Sequence, residues 1–234
     1  MFRLRSRWHI SPLAAVLVLA TVFPAIAADL ERAAPESVGI SAARLDRIGA
    51  ILQVYIDQKL LPGAVVAVAR QNKLVYLKSF GSMDAESNQA MREDAIFRIA
   101  SMTKPITSTA VMMLYEEGKL LLSDAISKYI PEFEKPQVLV TSNPDSTDYT
   151  TVPARREITI LDLLSHTSGI TYRFWNKKPI AGLYEQAGIA DGLVPPPGTV
   201  GETVRRLAKL PLVNQPGEAY EYGLNSDVLA PVTK

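Results

Sequence analysis

The chain has 234 residues, 47% hydrophobic and 21% charged, a globular rather than a disordered composition. A formal net charge of +1, with basic residues no more than paired, gives no electrostatic case for nucleic acid. With no cysteine and only two histidines, His9 and His166, the chain excludes disulfides, a cysteine nucleophile, thiolate metal sites and a multi-histidine metal centre.

Residues 1–27 read as a signal peptide. Arg3, Arg5 and Arg7 form a positive start, Leu13 to Phe23 an apolar run, and Ala25-Ile26-Ala27 a small-residue cleavage site. The run falls short of the roughly 20 residues that a spanning helix needs. The mature part, 28–234, is expected to be periplasmic or secreted in a bacterium, with no membrane association after cleavage. It is expected to form one domain.

Ser41 is placed to cap a helix running to Gln58, with Leu45, Ile48, Leu52, Tyr55 and Ile56 as its apolar stripe. Leu61-Pro62-Gly63 ends it. Ala64–Ala69 and Leu74–Phe80 read as strands joined by a Gln71-Asn72 turn. Ile96 to Ile99 is a short extended run into Ser101. The next helix spans 102–117, with Ile106, Ala110, Met113 and Leu114 buried and Gly118 as terminator. Pro105 is tolerable only in a first turn, which puts Ser101 at the helix N-terminus. Ser123 is read as the cap of a short helix to Lys128, and 136–156 as a long surface loop. Thr159 with Asp162, and Thr199 with Glu202, look like capping boxes. Pro195 to Gly198 reads as a rigid connector.

Ser101-Met102-Thr103-Lys104 carries the chemistry. At a spacing of three the two side chains share one helical face, about 5–6 Å apart at Cβ. A serine hydroxyl is a weak nucleophile until a base takes its proton, and a lysine beside it, its pKa lowered by burial or by another cation, is a candidate base. The helix N-terminus adds partial positive charge that favours a developing oxyanion. The bland reading of the same four residues is a serine cap with a solvated lysine one turn on. For a Ser-His-Asp triad the mature chain offers only His166.

Phe97 to Lys104 resembles the nucleophile segment of serine hydrolases similar to class C β-lactamases. That family also holds esterases, D-aminopeptidases and penicillin-binding D,D-carboxypeptidases. Three further stretches resemble it in family order: Gly118-Lys119-Leu120 through Phe133, Leu163-Leu164-Ser165-His166-Thr167-Ser168-Gly169, and Pro216-Gly217 to Tyr222 followed by Asp227-Val228-Leu229. The resemblance implies an α/β fold of the α+β type: an antiparallel sheet flanked by helices, plus a mainly helical domain. It implies Ser101 as the acylated nucleophile, Lys104 as its base partner and Tyr222 as a phenolate sharing proton transfer, with Tyr220 as the competing tyrosine. His166 is then expected to support the site and Asp227 to cap the final helix. No metal or organic cofactor is implied, the partner being a small ester or amide and the oligomeric state open.

Two departures qualify this. The family's β-lactamases and peptidases show Tyr-x-Asn, whereas here Tyr222-Gly223-Leu224 puts Asn225 one position late. Leucine cannot make the polar contact, which tilts the expected substrate towards carboxylic esters. Family members also run longer, so the third motif and the C-terminal part of the sheet are expected to be missing, leaving helix faces uncovered. The expectation is an exported serine hydrolase working through an acyl-enzyme on esters. The alternatives are β-lactam or D-Ala-peptide hydrolysis, and a non-catalytic truncated fragment.

Overall fold

A computed structural model describes residues 29–84, 86, 89–141, 147–175, 178–190 and 198–233. The signal-peptide reading of 1–27, residues 142–146 of the expected loop, and Pro195 to Pro197 lie outside the described residues. The chain divides into two compact units between Ile96 and Phe97. Among the described residues no helix is long and apolar enough to cross a membrane.

In the first unit a two-residue strand β1 (Glu31–Arg32) and a 3-10 turn lead into helix α1 (Ala42–Asp57). Ser41 is the N-cap residue, but its hydroxyl makes no capping bond. Glu36, one turn earlier, accepts from the Ala42 N–H at 3.0 Å instead. A carboxylate there both satisfies an orphan donor and complements the helix dipole. Strands β2 (Gly63–Arg70) and β3 (Lys73–Gly81) pair antiparallel, Val66 opposite Lys78. Gln71 and Asn72 both have positive φ, 51° and 59°, as a two-residue hairpin turn requires. β1 adds parallel to β3, giving the order β1-β3-β2. A small core of Val38, Leu45, Val75 and Tyr76, with Ile48 and Phe80, joins α1 to the sheet. On the remaining surface of α1, Ile51, Val54 and Tyr55 are exposed.

The second unit holds the larger core, in which Val111, Ile126, Ile158, Ile160, Leu163, Ile170, Val204, Val228 and Leu229 are all essentially inaccessible. Its helices are α2 (Thr103–Glu116), α3 (Ile160–Leu164), α4 (Ile180–Gln186), α5 (Val200–Leu207) and α6 (Asn225–Leu229). α2 turns only Val111 fully inwards. Ile106 and Met113, expected in the buried stripe, are exposed along with Met102, while Leu114 packs against the core. Gly118, at φ 69°, ends the helix, and the Lys119 N–H returns to the Leu114 carbonyl at 2.9 Å.

The expected helix after Ser123 is a single 3-10 turn, Ile126–Lys128, and Ser123 does not cap it. Asp124 organises this turn, accepting from the Leu121 N–H, Lys128 and the Tyr129 hydroxyl. The expected loop 136–156 contains a hairpin, β4 (Gln137–Val140) with β5 (Thr150–Pro153). Its strands are short and flanked by prolines, so the turn residues between them outweighed the β-branched pattern in the sequence. Both capping boxes form as expected: Thr159 with Asp162 starts α3, and Thr199 with Glu202 starts α5. Asp162 is buried and also takes Arg156 on both oxygens, tying the start of α3 to the preceding segment.

Candidate active site

Ser101 lies on a 3-10 turn, Ala100–Met102, that runs directly into α2. Ala100 has φ 44°, a left-handed conformation uncommon for a residue with a Cβ. Pro105, in the first turn of α2, is tolerated because its missing N–H is not needed there. One turn on, the Lys104 ammonium stands 3.4 Å from the Ser101 hydroxyl and 2.9 Å from the Tyr172 hydroxyl. It also lies over the Tyr222 ring, 4.8 Å from the ring centroid. Ser101, Lys104, Tyr172 and Tyr222 open together onto one cavity of about 480 Å³.

Tyr222 is brought there by a backbone zipper. The N–H groups of Val213, Gly217 and Glu221 donate to the carbonyls of Gly169, Thr167 and His166, at 2.9, 2.8 and 2.7 Å. The two sequence signatures are thus stitched to each other, and the chain leaves the zipper at Tyr222. Gly223 then passes hard against the other strand of the zipper. A Cβ at this position would lie 2.2 Å from the Ile170 carbonyl oxygen and 2.6 Å from the Thr171 Cα. Both are backbone atoms, so relief means moving Tyr222 or the segment bearing Tyr172. Gly223→Ala is expected to lower kcat by about 100-fold, the order of cost of a 1 Å misplacement, with KM changed far less. Steady-state kinetics on any turned-over ester checks this; an unchanged kcat would show that the contact tolerates a methyl group.

The two tyrosines on Lys104 are pushed in opposite directions. Burial works against ionising Tyr222, but the hydrogen bonds from Ser101 and Lys104 and the ammonium charge outweigh it, and its pKa falls below the ordinary 10.0. For Tyr172 burial dominates over the Lys104 contact and the pKa rises. Burial alone would depress Lys104, yet its bonds to Tyr172 and Tyr222 hold its pKa above 10.5. The stable arrangement is therefore an ammonium flanked by one acidified phenol and one that keeps its proton.

His166 faces away from base duty. Its Nδ1 is 2.8 Å from the Asn225 amide nitrogen, and its ring packs on Tyr222 at 4.8 Å between centroids. Asn225 is fully buried and its carbonyl oxygen accepts from Ser168. With the amide donating to Nδ1, the imidazole is held neutral with its proton on Nε2. Burial, then the Lys104 charge, lowers its pKa from 6.5. The unfolded chain thus binds a proton more readily, and stability is expected to fall as pH drops below about 6.5, levelling off under the folded pKa. Urea melts from pH 8 to 5 should show this step, and His166→Gln should lack it; an equal slope in both proteins would assign the dependence to other groups.

Asn225, one position late for the Tyr-x-Asn pattern, thus serves the interior, and Leu224 is core. Neither lines the cavity; Ser226 and Asp227 do. Asp227 stands inside the first turn of α6, not at its cap, and no side chain caps this helix. Its carboxyl pKa is raised by burial, an effect that Lys104 opposes. Tyr220 is exposed and does not line the cavity.

Tyr172 was not singled out in the sequence. It belongs to no helical or strand periodicity and is brought to Lys104 by the turn after Gly169. The one signal is the density of Tyr172, Phe174 and Trp175 in a chain only 7% aromatic.

Comparison with known proteins gives one consistent result. The Beta-lactamase family model matches residues 48–230. Esterase EstB of Burkholderia gladioli is 35% identical over 201 residues, covering 86% of this chain and 47% of that protein. An uncharacterised Mycobacterium tuberculosis protein is 40% identical over 185 residues, 79% of this chain and 44% of the relative. Among solved structures, EstCE1, a hydrolase with promiscuous acyltransferase activity, superposes with a TM-score of 0.68 at 32% identity, over 80% of this chain and 45% of its own. The chain spans about half the length of the curated relatives it matches. The β-lactamase-like fold, mixing helices and sheet, is the one expected from the sequence.

Proposed function

This chain belongs to the Beta-lactamase family, and from the contacts around Lys104 we propose that it carries the acyl-transfer centre of an exported serine hydrolase acting on carboxylic esters. The observation that carries this reading is the gathering of Ser101, Tyr172 and Tyr222 around the Lys104 ammonium on one cavity, with the two phenols pushed in opposite directions. When the environments of two titratable groups drive their pKa values apart, one is suited to take a proton and the other to keep it.

Tyr222, as phenolate, removes the Ser101 proton while the serine oxygen attacks the ester carbonyl. A new Ser101 ester forms, the old C–O bond breaks, and the departing alkoxide takes back the proton held on Tyr222. Water repeats the cycle on the acyl-enzyme and releases the acid. Lys104 acts as a fixed positive charge in this scheme: its pKa is raised, not lowered as the expected lysine base requires, and this favours the ammonium. An alcohol entering in place of water would give acyl transfer, the activity named for EstCE1.

The ester preference is supported by what the cavity wall lacks. The position where Tyr-x-Asn would offer an amide is occupied by a core leucine, and Asn225 is committed to His166 and Ser168. The similarity to an esterase points the same way. A fluorophosphonate probe is expected to label Ser101, mapped by peptide mass, and to leave Ser101→Ala unlabelled. Parallel assays with 4-nitrophenyl butyrate and a chromogenic cephalosporin should show turnover of the ester. Turnover of the cephalosporin alone would overturn the ester assignment, and absence of any serine label would overturn the catalytic reading.

A further inference from the structure

The cavity has one wall that the acyl-transfer scheme does not use. Beyond Tyr172 the chain lays down two more aromatic rings. Phe174 stacks on Tyr172, with centroids 4.8 Å apart and planes 15° from parallel. Trp175 lies against Phe174 at 4.9 Å and 57°. Tyr172 is buried and tethered to Lys104, whereas Phe174 and Trp175 remain 50% and 59% accessible. Phe174 lines the same cavity as Ser101. The three rings therefore form a continuous ledge, anchored at the ammonium and open to solvent at the indole.

Large aromatic side chains left half in water beside a reactive centre suggest a ligand surface. The stacked geometry at the inner end also fixes the orientation of the open ring faces. A flat ring placed on them gains offset-stacking or edge-to-face contact beyond the apolar area it covers, which a saturated ring of equal size does not. We propose that the Phe174–Trp175 ledge is a specificity subsite that selects esters bearing an aromatic ring close to the scissile carbonyl. This rests on the Ser101 reading for its place in catalysis, while ring binding itself does not require turnover.

The test uses size-matched pairs. Benzyl acetate against cyclohexylmethyl acetate places the ring on the alcohol side, and methyl phenylacetate against methyl cyclohexylacetate places it on the acid side. The parent protein is expected to favour the aromatic member of one pair by about 2- to 10-fold in kcat/KM, the range that a single aromatic contact supplies. The pair that shows the preference identifies which half of the ester lies on the ledge. Phe174→Leu and Trp175→Leu keep apolar bulk at exposed positions and should erase the preference, the aromatic member of the pair losing more than its cyclohexyl counterpart. Saturation-transfer NMR on Ser101→Ala with benzyl alcohol, phenylacetate and their cyclohexyl counterparts reads the ledge without chemistry. Ring protons of the aromatic ligand should receive the stronger transfer, lost in the leucine variants. Ring binding without hydrolysis in the parent protein would uphold the ledge and fault the Ser101 reading. Equal handling of both rings in both pairs, or an equal loss for both in the leucine variants, would overturn the proposal.

Discussion

Tyr222→Phe is expected to lower kcat by about 10²- to 10⁴-fold, the contribution typical of a positioned general base. The variant removes one oxygen and keeps the ring, so the packing of Tyr222 on His166 at 4.8 Å is preserved and the protein should fold normally. What is lost is the one phenol of the site whose pKa is pushed down, through its bonds to Ser101 and Lys104. Its neighbour cannot replace it, because burial pushes the Tyr172 phenol up. KM should change little, since the phenol acts on the serine proton rather than on bound ester. Tyr220→Phe is the matching control: that ring is 68% exposed and outside the cavity, and its loss should leave kcat at the parent level. Steady-state kinetics with 4-nitrophenyl butyrate decides the matter. A Tyr222→Phe protein with parental kcat would remove Tyr222 from proton transfer, whereas a comparable drop in Tyr220→Phe would show that the tyrosine was misassigned.

The parts of this site that could be read in the sequence are those fixed by local rules. Ser101 and Lys104 are one helical turn apart, and Pro105 fixes where that turn begins. The two capping boxes are visible because each is complete within four residues. The Gln71-Asn72 turn is visible because few residue pairs accept two positive φ angles. What the sequence hides is anything decided by a partner far along the chain. Glu36 rather than Ser41 serves the N-terminus of α1, because a carboxylate from the preceding turn reaches its first N–H. Ile106 and Met113 look like core residues by periodicity, but what is in contact decides burial, and here only Val111 and Leu114 meet the core. Tyr172 lies 68 residues from Lys104 in sequence and is brought to it by the turn after Gly169, while Tyr222 is delivered by a zipper of backbone bonds that no side-chain pattern encodes. The same holds for Asn225. Its displacement by one position looks like a lost substrate contact, and the structure adds the other half: the amide has gone inwards to hold His166 and Ser168.

Lys104 separates two mechanisms that the Ser-x-x-Lys spacing alone leaves equivalent. If the lysine is a fixed charge, its work is to stabilise the phenolate of Tyr222. Lys104→Met then removes both the hydrogen bond and the charge, and the Tyr222 pKa climbs back towards and past 10.0, since only burial, which raises it, remains with the Ser101 bond. The active form carries a deprotonated Tyr222, so kcat/KM in the parent protein rises with pH through the depressed phenol pKa. It falls again only as the ammonium is lost, above 10.5. The two limbs are properties of the coupled pair rather than of either residue. In Lys104→Met the rising limb should move to higher pH, and activity at pH 7 should drop by about 10²- to 10³-fold, as expected for loss of a nucleophile's activating partner. Lys104→Arg is the discriminating variant. A guanidinium keeps the positive charge but cannot act as a base at any accessible pH. Under the fixed-charge scheme Lys104→Arg should keep its rising limb below that of Lys104→Met and retain more activity at neutral pH, even with the ammonium geometry lost. Should Lys104→Arg and Lys104→Met prove equally inactive with the same rising limb, the amine itself would be the base. Tyr222 would then be left with a supporting part.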